Sequence, residues 1–246
     1  MRMMLGAGLL AVAMGATAAS KEAEPVRFHA NARVELDAHG VPRQVQVNEK
    51  LPPAIRSVVE QQVMQWRFEP ARVNGVAMAG VTHVFLDACL APLPGDGMSV
   101  AMNYRHHGPG YASGAPLLSP PRFPPSAARY NQEGSFRVVA QIGEDGRAKI
   151  ASVETVSGSL KPFEQALRDW VTSMRYLPEE VDGKPIATRV VYPVAFSLPN
   201  VSIKQLREEQ RDAARQSAEC QAAVGESKDP QRPVVLDSPF KLKEAG

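Results

Sequence analysis

The segment "MRYLPEEVDGKPI" (Met174–Ile186) decides the fold, because the chain has already used the same order of residue types in "WRFEPARVNGVAM" (Trp66–Met78). Each segment has a large apolar residue, Arg, an aromatic residue, one further residue and Pro, and then Asn-Gly or Asp-Gly. Pro ends a helix because it lacks an amide hydrogen and clashes with the preceding turn. Asn-Gly and Asp-Gly favour a tight turn between strands. Each segment is therefore predicted to end a helix and to begin a strand.

A β-hairpin is predicted ahead of each helix, in residues 32–47 and 138–153. The turn at Asp37–Gly40 aligns with the turn at Gly143–Gly146, and apolar residues alternate before both turns. Alternation with a period of two is typical of a strand with one buried face. The alternating residues are Phe28, Ala30, Ala32, Val34 and Leu36 in the first case and Phe136, Val138, Ala140 and Ile142 in the second.

Between hairpin and repeated segment, apolar residues recur at the spacing of an amphipathic helix. They are Ile55, Val58, Val59, Val63 and Trp66 in the first case and Phe163, Ala166, Leu167, Trp170, Val171 and Met174 in the second. A final strand follows each turn. The sequence thus predicts an α+β protein with two tandem ββαβ domains, each a three-stranded antiparallel or mixed sheet covered by one helix.

The rest of the chain divides by composition. Residues 1–19 have the charged start, apolar stretch and small-residue end of a signal peptide, with a short membrane anchor as the alternative. The two domains are expected at 26–90 and 120–198, with a linker rich in Pro and Gly at 91–119. The remaining residues are predicted as a charged helix at 199–225 and an extended or disordered tail at 226–246.

The sequence offers no motif for catalysis. Nucleophile elbows, metalloprotease and CxxC motifs and phosphate-binding loops are all missing, and His106-His107 is weak evidence for a metal site, so neither enzyme activity nor a cofactor or metal is predicted. A net charge of +2 gives no reason to expect nucleic acid, and no small-molecule substrate is evident. In an exported chain, Cys89 and Cys220 permit one disulfide, and two buried free thiols are the alternative.

The second half of the chain carries an ordered set of motif residues rather than one specific dipeptide. The set comprises Phe123, Pro124, Gly134, Gly146, Ser157, Gly158, Arg175, Tyr176, Pro178 and Gly183. With this set, residues 120–198 resemble the C-terminal domain of TonB-family energy transducers nearly from end to end, and residues 26–90 resemble a degenerate second copy.

The resemblance implies a periplasmic, non-catalytic protein linked to energy-dependent transport across the outer membrane. Domains of this family bind a short extended segment of an outer-membrane receptor by adding it as a strand beside their last strand. The exposed edge of a sheet invites such an addition. The residues expected to form this edge are Thr188, Arg189, Val190, Val191, Tyr192, Val194 and Phe196.

Three readings of the function are compatible with the sequence, and the first two differ at the N-terminus. The chain would be a soluble periplasmic interaction module of the cell envelope, with no energy-transducing role, if its N-terminus is cleaved. An uncleaved N-terminus would instead hold a transducer at the inner membrane, facing the periplasm. A purely structural role, with the two copies pairing edge to edge within one chain or in a homodimer, is the third reading.

Overall fold

The computed structural model describes residues 25–93, 97–198, 208–209, 212–213, 220 and 233–244. The predicted signal peptide at 1–19 lies outside the described residues, and so does most of the predicted charged helix at 199–225. Within the described part of the chain, no helix is long and apolar enough to cross a membrane.

The N-terminal unit contains the predicted hairpin, helix and last strand, with three short strands before the last one. In chain order its elements are β1 (Val26–Leu36), β2 (Pro42–Val47), α1 (Pro53–Met64), β3 (Arg67–Glu69), β4 (Ala71–Val73), β5 (Val76–Met78) and β6 (Gly80–Leu93). Strand β6 pairs antiparallel with β1 along all of β1, from Val26–Leu90 to Leu36–Gly80, so the order here is β2-β1-β6.

The prediction of a linker at 91–119 is wrong for much of this segment. It contains β7 (Gly97–Gly108) and β8 (Gly110–Tyr111), and β7 pairs antiparallel with β6. The strand forms because Met102 and Tyr104 pack against the N-terminal core, a burial that neighbouring Gly and Pro residues concealed in the sequence. A short helix, α2 (Pro125–Arg129), then leads to the C-terminal unit.

The C-terminal unit has the same order of elements. They are β9 (Gly134–Ile142), β10 (Ala148–Gly158), α3 (Glu164–Ser173), β11 (Tyr176–Leu177), β12 (Glu180–Val181), β13 (Lys184–Pro185) and β14 (Thr188–Phe196). Strand β14 returns antiparallel to β9, which gives the order β10-β9-β14. The described residues therefore have the predicted α+β class and the ββαβ order in both units.

The described part of the predicted tail, residues 233–244, contains two short strands, and each of them pairs with one of the two units. Strand β15 (Val234–Val235) pairs with β14, and β16 (Lys241–Glu244) pairs with β3. The prediction of two three-stranded sheets is therefore wrong. The N-terminal sheet has six strands, because β7 and the β12-β13 hairpin join it, and the C-terminal sheet has four.

The two units are packed together through backbone and side chains. Strand β12 pairs with the start of β6, at Glu180–Val81 and Val181–Gly80.

Each helix buries its apolar face on its own sheet, through Val59 and Val63 in α1. In α3 the corresponding residues are Leu167 and Val171. The structure also joins Cys89, on β6, to Cys220 in a disulfide whose Cα atoms are 5.2 Å apart.

The repeated segment has the same local role in both units. The guanidinium of Arg175 donates to the carbonyls of Thr172 (2.8 Å) and Met174 (2.7 Å) at the end of α3. Arg67 does the same for Gln65 (3.0 Å) and Trp66 (2.7 Å) after α1. A cation at this position satisfies helix carbonyls that have no partner within the helix.

Candidate protein-binding edge

Strand β14 has one covered side and one partly open side. The amide of Gly143 bonds the Arg147 carbonyl, so the N–H and C=O groups of the odd-numbered residues of β9 point towards β10. Those of the even-numbered residues of β9 point towards β14, where they bond the even-numbered residues of β14. The N–H and C=O groups of the odd residues of β14 consequently point to the open side. Leu236 N–H donates to the Arg189 carbonyl at 2.8 Å, in agreement with this geometry.

The predicted edge residues therefore fall into two groups. Five have buried side chains on the α3 side of the sheet and bonded backbone groups: Thr188, Val190, Tyr192, Val194 and Phe196. The two others, Arg189 and Val191, present their backbone to the open side. The prediction did not include Pro193 and Ala195, although the alternation along a strand gives them the same orientation.

The open side is covered over only part of its length. Strand β15 pairs with β14 at Val190–Val235 and Val191–Val234, and no described strand pairs with this side beyond Val191. Pro193 lies in the uncovered stretch. Proline is tolerated there because its backbone nitrogen, which carries no hydrogen, points away from β9, so no hydrogen bond to β9 is lost.

A groove lies beside this uncovered stretch. Its volume is about 340 Å³, and Pro193 and Ala195 of β14 line it. Leu117 and Pro120 of the segment before α2 also line it, as does Trp170 of α3. The Trp170 indole N–H donates to the Ser119 carbonyl at 2.7 Å, which fixes the segment before α2 against α3.

Two of the residues that line the groove are the buried Tyr111 and Tyr192. The hydroxyl groups of Tyr176 and Tyr192 lie 2.7 Å apart, and Trp170 contacts Tyr192 edge to face with ring centroids 5.6 Å apart. Burial raises the pKa of Tyr111 to about 12 and raises the pKa values of Tyr176 and Tyr192 as well. These phenols stay neutral at physiological pH. The groove lining is of mixed polarity, since Arg105 and His106 contribute to it beside the proline and leucine residues.

An ion pair lies at the covered end of β14. The guanidinium of Arg189 bonds the carboxylate of Asp237 through two nitrogens, at 2.5 and 2.9 Å. This hydrogen bond holds the pKa of Asp237 below its usual value and raises the pKa of Arg189. The pair closes the tail onto the edge just after β15.

A buried carboxylate lies where the two units and the tail meet. Glu179 Oε1 accepts hydrogen bonds from Thr82 (2.6 Å) and from Ser238 (2.8 Å), and the residue is fully buried. Burial raises the pKa of Glu179 to about 7, although both hydrogen bonds lower it. The sequence did not single out Glu179, because it follows Pro178 in what looked like an ordinary turn.

Residues 119–198 match the family model described as the Gram-negative bacterial TonB protein C-terminal. These residues are a TonB C-terminal domain. The matched segment contains α2, α3 and all of the β10-β9-β14 sheet, so the candidate edge belongs to it. It does not contain residues 26–93, and their kinship as a degenerate second copy stays a prediction.

Two curated relatives, both named Protein TonB, come from Xanthomonas campestris pv. campestris, strains B100 and ATCC 33913. Each is 28% identical to this chain over 81 residues, which are 33% of this chain and 36% of the relative. The similarity therefore spans about a third of the length of these relatives.

Within the TonB C-terminal domain, the predicted motif residues have structural positions. Phe123 packs edge to face on Phe163 and Phe196, and Pro124 precedes α2. Ser157 and Gly158 end β10, opposite Gly134 and Ser135. Four more motif residues lie at the hairpin turn or just after α3: Gly146, Arg175, Tyr176 and Pro178. Gly183, with Asp182, forms the turn between β12 and β13 at positive φ.

The N-terminal unit has no comparable open edge on its last strand. The side of β6 that corresponds to the open side of β14 is paired with β7, from His83–Gly108 to Leu93–Gly97. The start of β6 is paired with β12. A partner strand could pair with this side of β6 only if β7, the next strand in the chain, were removed.

Proposed function

We propose that the TonB C-terminal domain of this chain binds an extended segment of another envelope protein by β-strand addition to β14. On this proposal the chain is a non-catalytic, periplasmic TonB-like protein in energy-dependent transport across the outer membrane, and its partner is an outer-membrane receptor. The observation that carries the proposal is the outward side of β14 from Pro193 onwards, with which no described strand pairs and which lies beside a groove.

Backbone geometry supports this mode of binding. An incoming strand finds a donor at Ala195 and acceptors at Pro193 and Ala195, and further backbone groups at Arg189 and Val191 if β15 leaves. Each bond contributes roughly 1 kcal/mol net, so the affinity is expected to be weak to moderate after ordering costs. Main-chain pairing also tolerates varied partner side chains, and the groove offers them both apolar residues and the polar Arg105 and His106.

A second function is favoured by the contact between the units. The N-terminal unit packs on the TonB C-terminal domain through β12–β6 pairing and through Glu179, which bonds Thr82. A domain fixed in this way differs from a domain on the end of a long spacer. The second candidate is therefore a soluble periplasmic interaction module that uses the same edge on a different envelope protein and transmits no force.

The proposed test is photo-cross-linking in living cells with p-benzoylphenylalanine at Ala195, whose side chain is exposed at the open edge. The same amino acid at Thr155 on β10 and at Thr172 on α3, both exposed, provides matched controls away from this edge. Mass spectrometry of the cross-linked product identifies the partner and the segment attached.

The expected result is a cross-link at Ala195 alone, to an extended segment of an outer-membrane receptor. A cross-link from Ala195 to another envelope protein replaces the first function by the second. Equal cross-linking from Thr155, or none from Ala195, contradicts strand addition at β14.

A further inference from the structure

The tail of this chain lies on the edge that the proposed function assigns to a partner. Leu236 N–H donates to the Arg189 carbonyl at 2.8 Å, and Val234 is paired with Val191. Val235 lies between them and packs on the C-terminal core, against the backbone of Gly108. A side chain at Gly108 would come within 2.5 Å of Val235, so β7 leaves room for the tail at this point.

This occupation is shallow. Val234 is 51% exposed and Leu236 is 48% exposed, so apart from Val235 the segment buries little apolar surface. Among the described residues the strand pairing of the tail with β14 covers two residues, whereas β7 covers β6 from Leu93 back to His83. A few backbone bonds at roughly 1 kcal/mol each barely exceed the cost of ordering the residues that make them.

The residues after this segment are held much more firmly. Phe240 is fully buried in the N-terminal core, and its carbonyl accepts a hydrogen bond from His107 Nε2 at 2.8 Å. Ser238 donates to buried Glu179, and Leu242 is paired with Phe68. The tail can therefore leave β14 at Val234–Asp237 while Phe240 keeps it attached nearby, at a high effective concentration.

The segment also indicates the chemistry of the strand that would replace it. Arg189 is exposed on the edge and forms a two-pronged bond with the Asp237 carboxylate, a geometry in which guanidinium favours carboxylate. A replacing strand that leaves Arg189 without a carboxylate forgoes this contact. A strand with an acidic residue at the same position keeps it.

We propose that Val234–Asp237 is an internal occupant of the β14 edge, which a partner strand carrying a carboxylate for Arg189 displaces. The inference rests on the proposed function, since it assigns regulation and partner chemistry to the same edge. While the internal segment is bound, the backbone groups of Arg189 and Val191 are closed to other chains. No described strand pairs with the stretch from Pro193 onwards, beside the groove, so a partner makes its first contact there.

The test measures binding of a fluorescent peptide with the sequence of residues 232–238, RPVVLDS, to the full chain by anisotropy. Leu236→Pro removes the N–H that bonds Arg189, while Leu236→Ala keeps it at the same exposed position. We expect the Leu236→Pro chain to bind the peptide about tenfold more tightly than wild type, because the fraction with an open edge rises. The Leu236→Ala chain should bind as wild type does.

A second arm tests the carboxylate. A peptide with Asn in place of Asp237 should bind the Leu236→Pro chain a few-fold more weakly, as expected for an exposed ion pair. Equal affinity of the two peptides overturns the assignment of partner chemistry to Arg189.

A third arm separates failure of the inference from failure of the proposed function. Val191→Pro, combined with Leu236→Pro, removes an edge donor and should abolish peptide binding. If wild type and Leu236→Pro bind the peptide equally and Val191→Pro abolishes binding in both, the internal occupant is refuted and strand addition stands. If Val191→Pro leaves binding unchanged, or no chain binds the peptide, strand addition to this edge is contradicted as well. Circular dichroism spectra of all variants show whether each is folded.

Discussion

The carbonyl of Gly146 accepts a hydrogen bond from the Tyr176 amide at 2.9 Å, which ties the hairpin turn to the residue just after α3. Gly40 and Phe68 have the same relationship in the N-terminal unit, also at 2.9 Å. Both glycines have positive φ, +72° and +76°. The aromatic residue of the repeated segment therefore holds the hairpin turn through its backbone. The turn position must be Gly because a Cβ there would collide with the backbone of the aromatic residue.

Gly146→Ala should destabilise the protein strongly. An added Cβ would lie 2.1 Å from the Tyr176 carbonyl oxygen, and an Ala residue is strained at this φ. We expect a loss of about 3 kcal/mol in the free energy of unfolding, measured by urea denaturation. Gly183→Ala is the matched control, since its φ is +71° with no atom within 4 Å of the new Cβ, and it should cost about 1 kcal/mol. Equal losses would show that backbone contact with Tyr176 is unimportant.

Glu179 should make the protein less stable as pH rises. Burial raises the pKa of Glu179 in the folded protein to about 7, above its ordinary value of 4.5, so folding favours the protonated form. This contribution is fully present below about pH 4.5, is lost as pH rises to about 7 and is then constant, a change on the order of 3 kcal/mol.

Glu179→Gln should flatten this part of the stability profile, followed by urea denaturation between pH 4.5 and 8. Glu180→Gln, one residue further and partly exposed, is the control and should leave the slope unchanged. A Glu179→Gln profile as steep as that of wild type would assign the slope to other groups.

Phe240→Ala should release the tail and open a cavity in the N-terminal core. The ring is 1% exposed, and truncation of a buried Phe typically costs 3–5 kcal/mol. The thermal midpoint should fall accordingly, while Leu236→Ala, at a site 48% exposed, should change stability by less than about 0.5 kcal/mol. A loss below about 1 kcal/mol for Phe240→Ala would mean that the tail does not belong to the core.

Loss of the disulfide should destabilise the chain through its unfolded state. Cys89 and Cys220 are separated by 131 residues, and closing a loop of this length is worth on the order of 4–5 kcal/mol in the chain-entropy account. Cys220→Ser and reduced wild type should unfold at the same urea concentration, below that of oxidised wild type. If the urea midpoint of the wild type is the same with and without reductant, the Cys89–Cys220 disulfide is contradicted.

Sequence reasoning succeeded where the signal is local. The alternation before Leu36 and Ile142 and the Pro and Gly of the repeated segment specify strands, helix ends and turns within a few residues of themselves. Strand β7 was missed because its burial depends on β6, and Gly97 and Gly108 at its ends favour a loop. The tail was missed although Val234-Val235-Leu236 is a short β-prone run in a polar region, which was the available signal.

The sequence predicted the strand β14, but it did not predict which backbone groups of β14 face the open side. Which residues of β14 face outward depends on the register with β9, which is set by the hairpin at Gly143–Gly146. The sequence alone therefore included Tyr192 and Val194, whose backbones bond β9, and omitted Pro193 and Ala195. It also gave no sign that Asp237 lies against Arg189, since that contact joins residues far apart in the chain.

The central claim is that the outer edge of β14 accepts an extended strand. The most direct test is amide hydrogen exchange by NMR on the ¹⁵N-labelled Leu236→Pro chain, with and without an excess of the unlabelled peptide of residues 232–238. The account predicts that the peptide slows exchange at Arg189 and Val191, whose N–H groups face outward, and leaves β10 unaffected. Unchanged exchange at Arg189 and Val191 at saturating peptide, with protection along β10 instead, would contradict it.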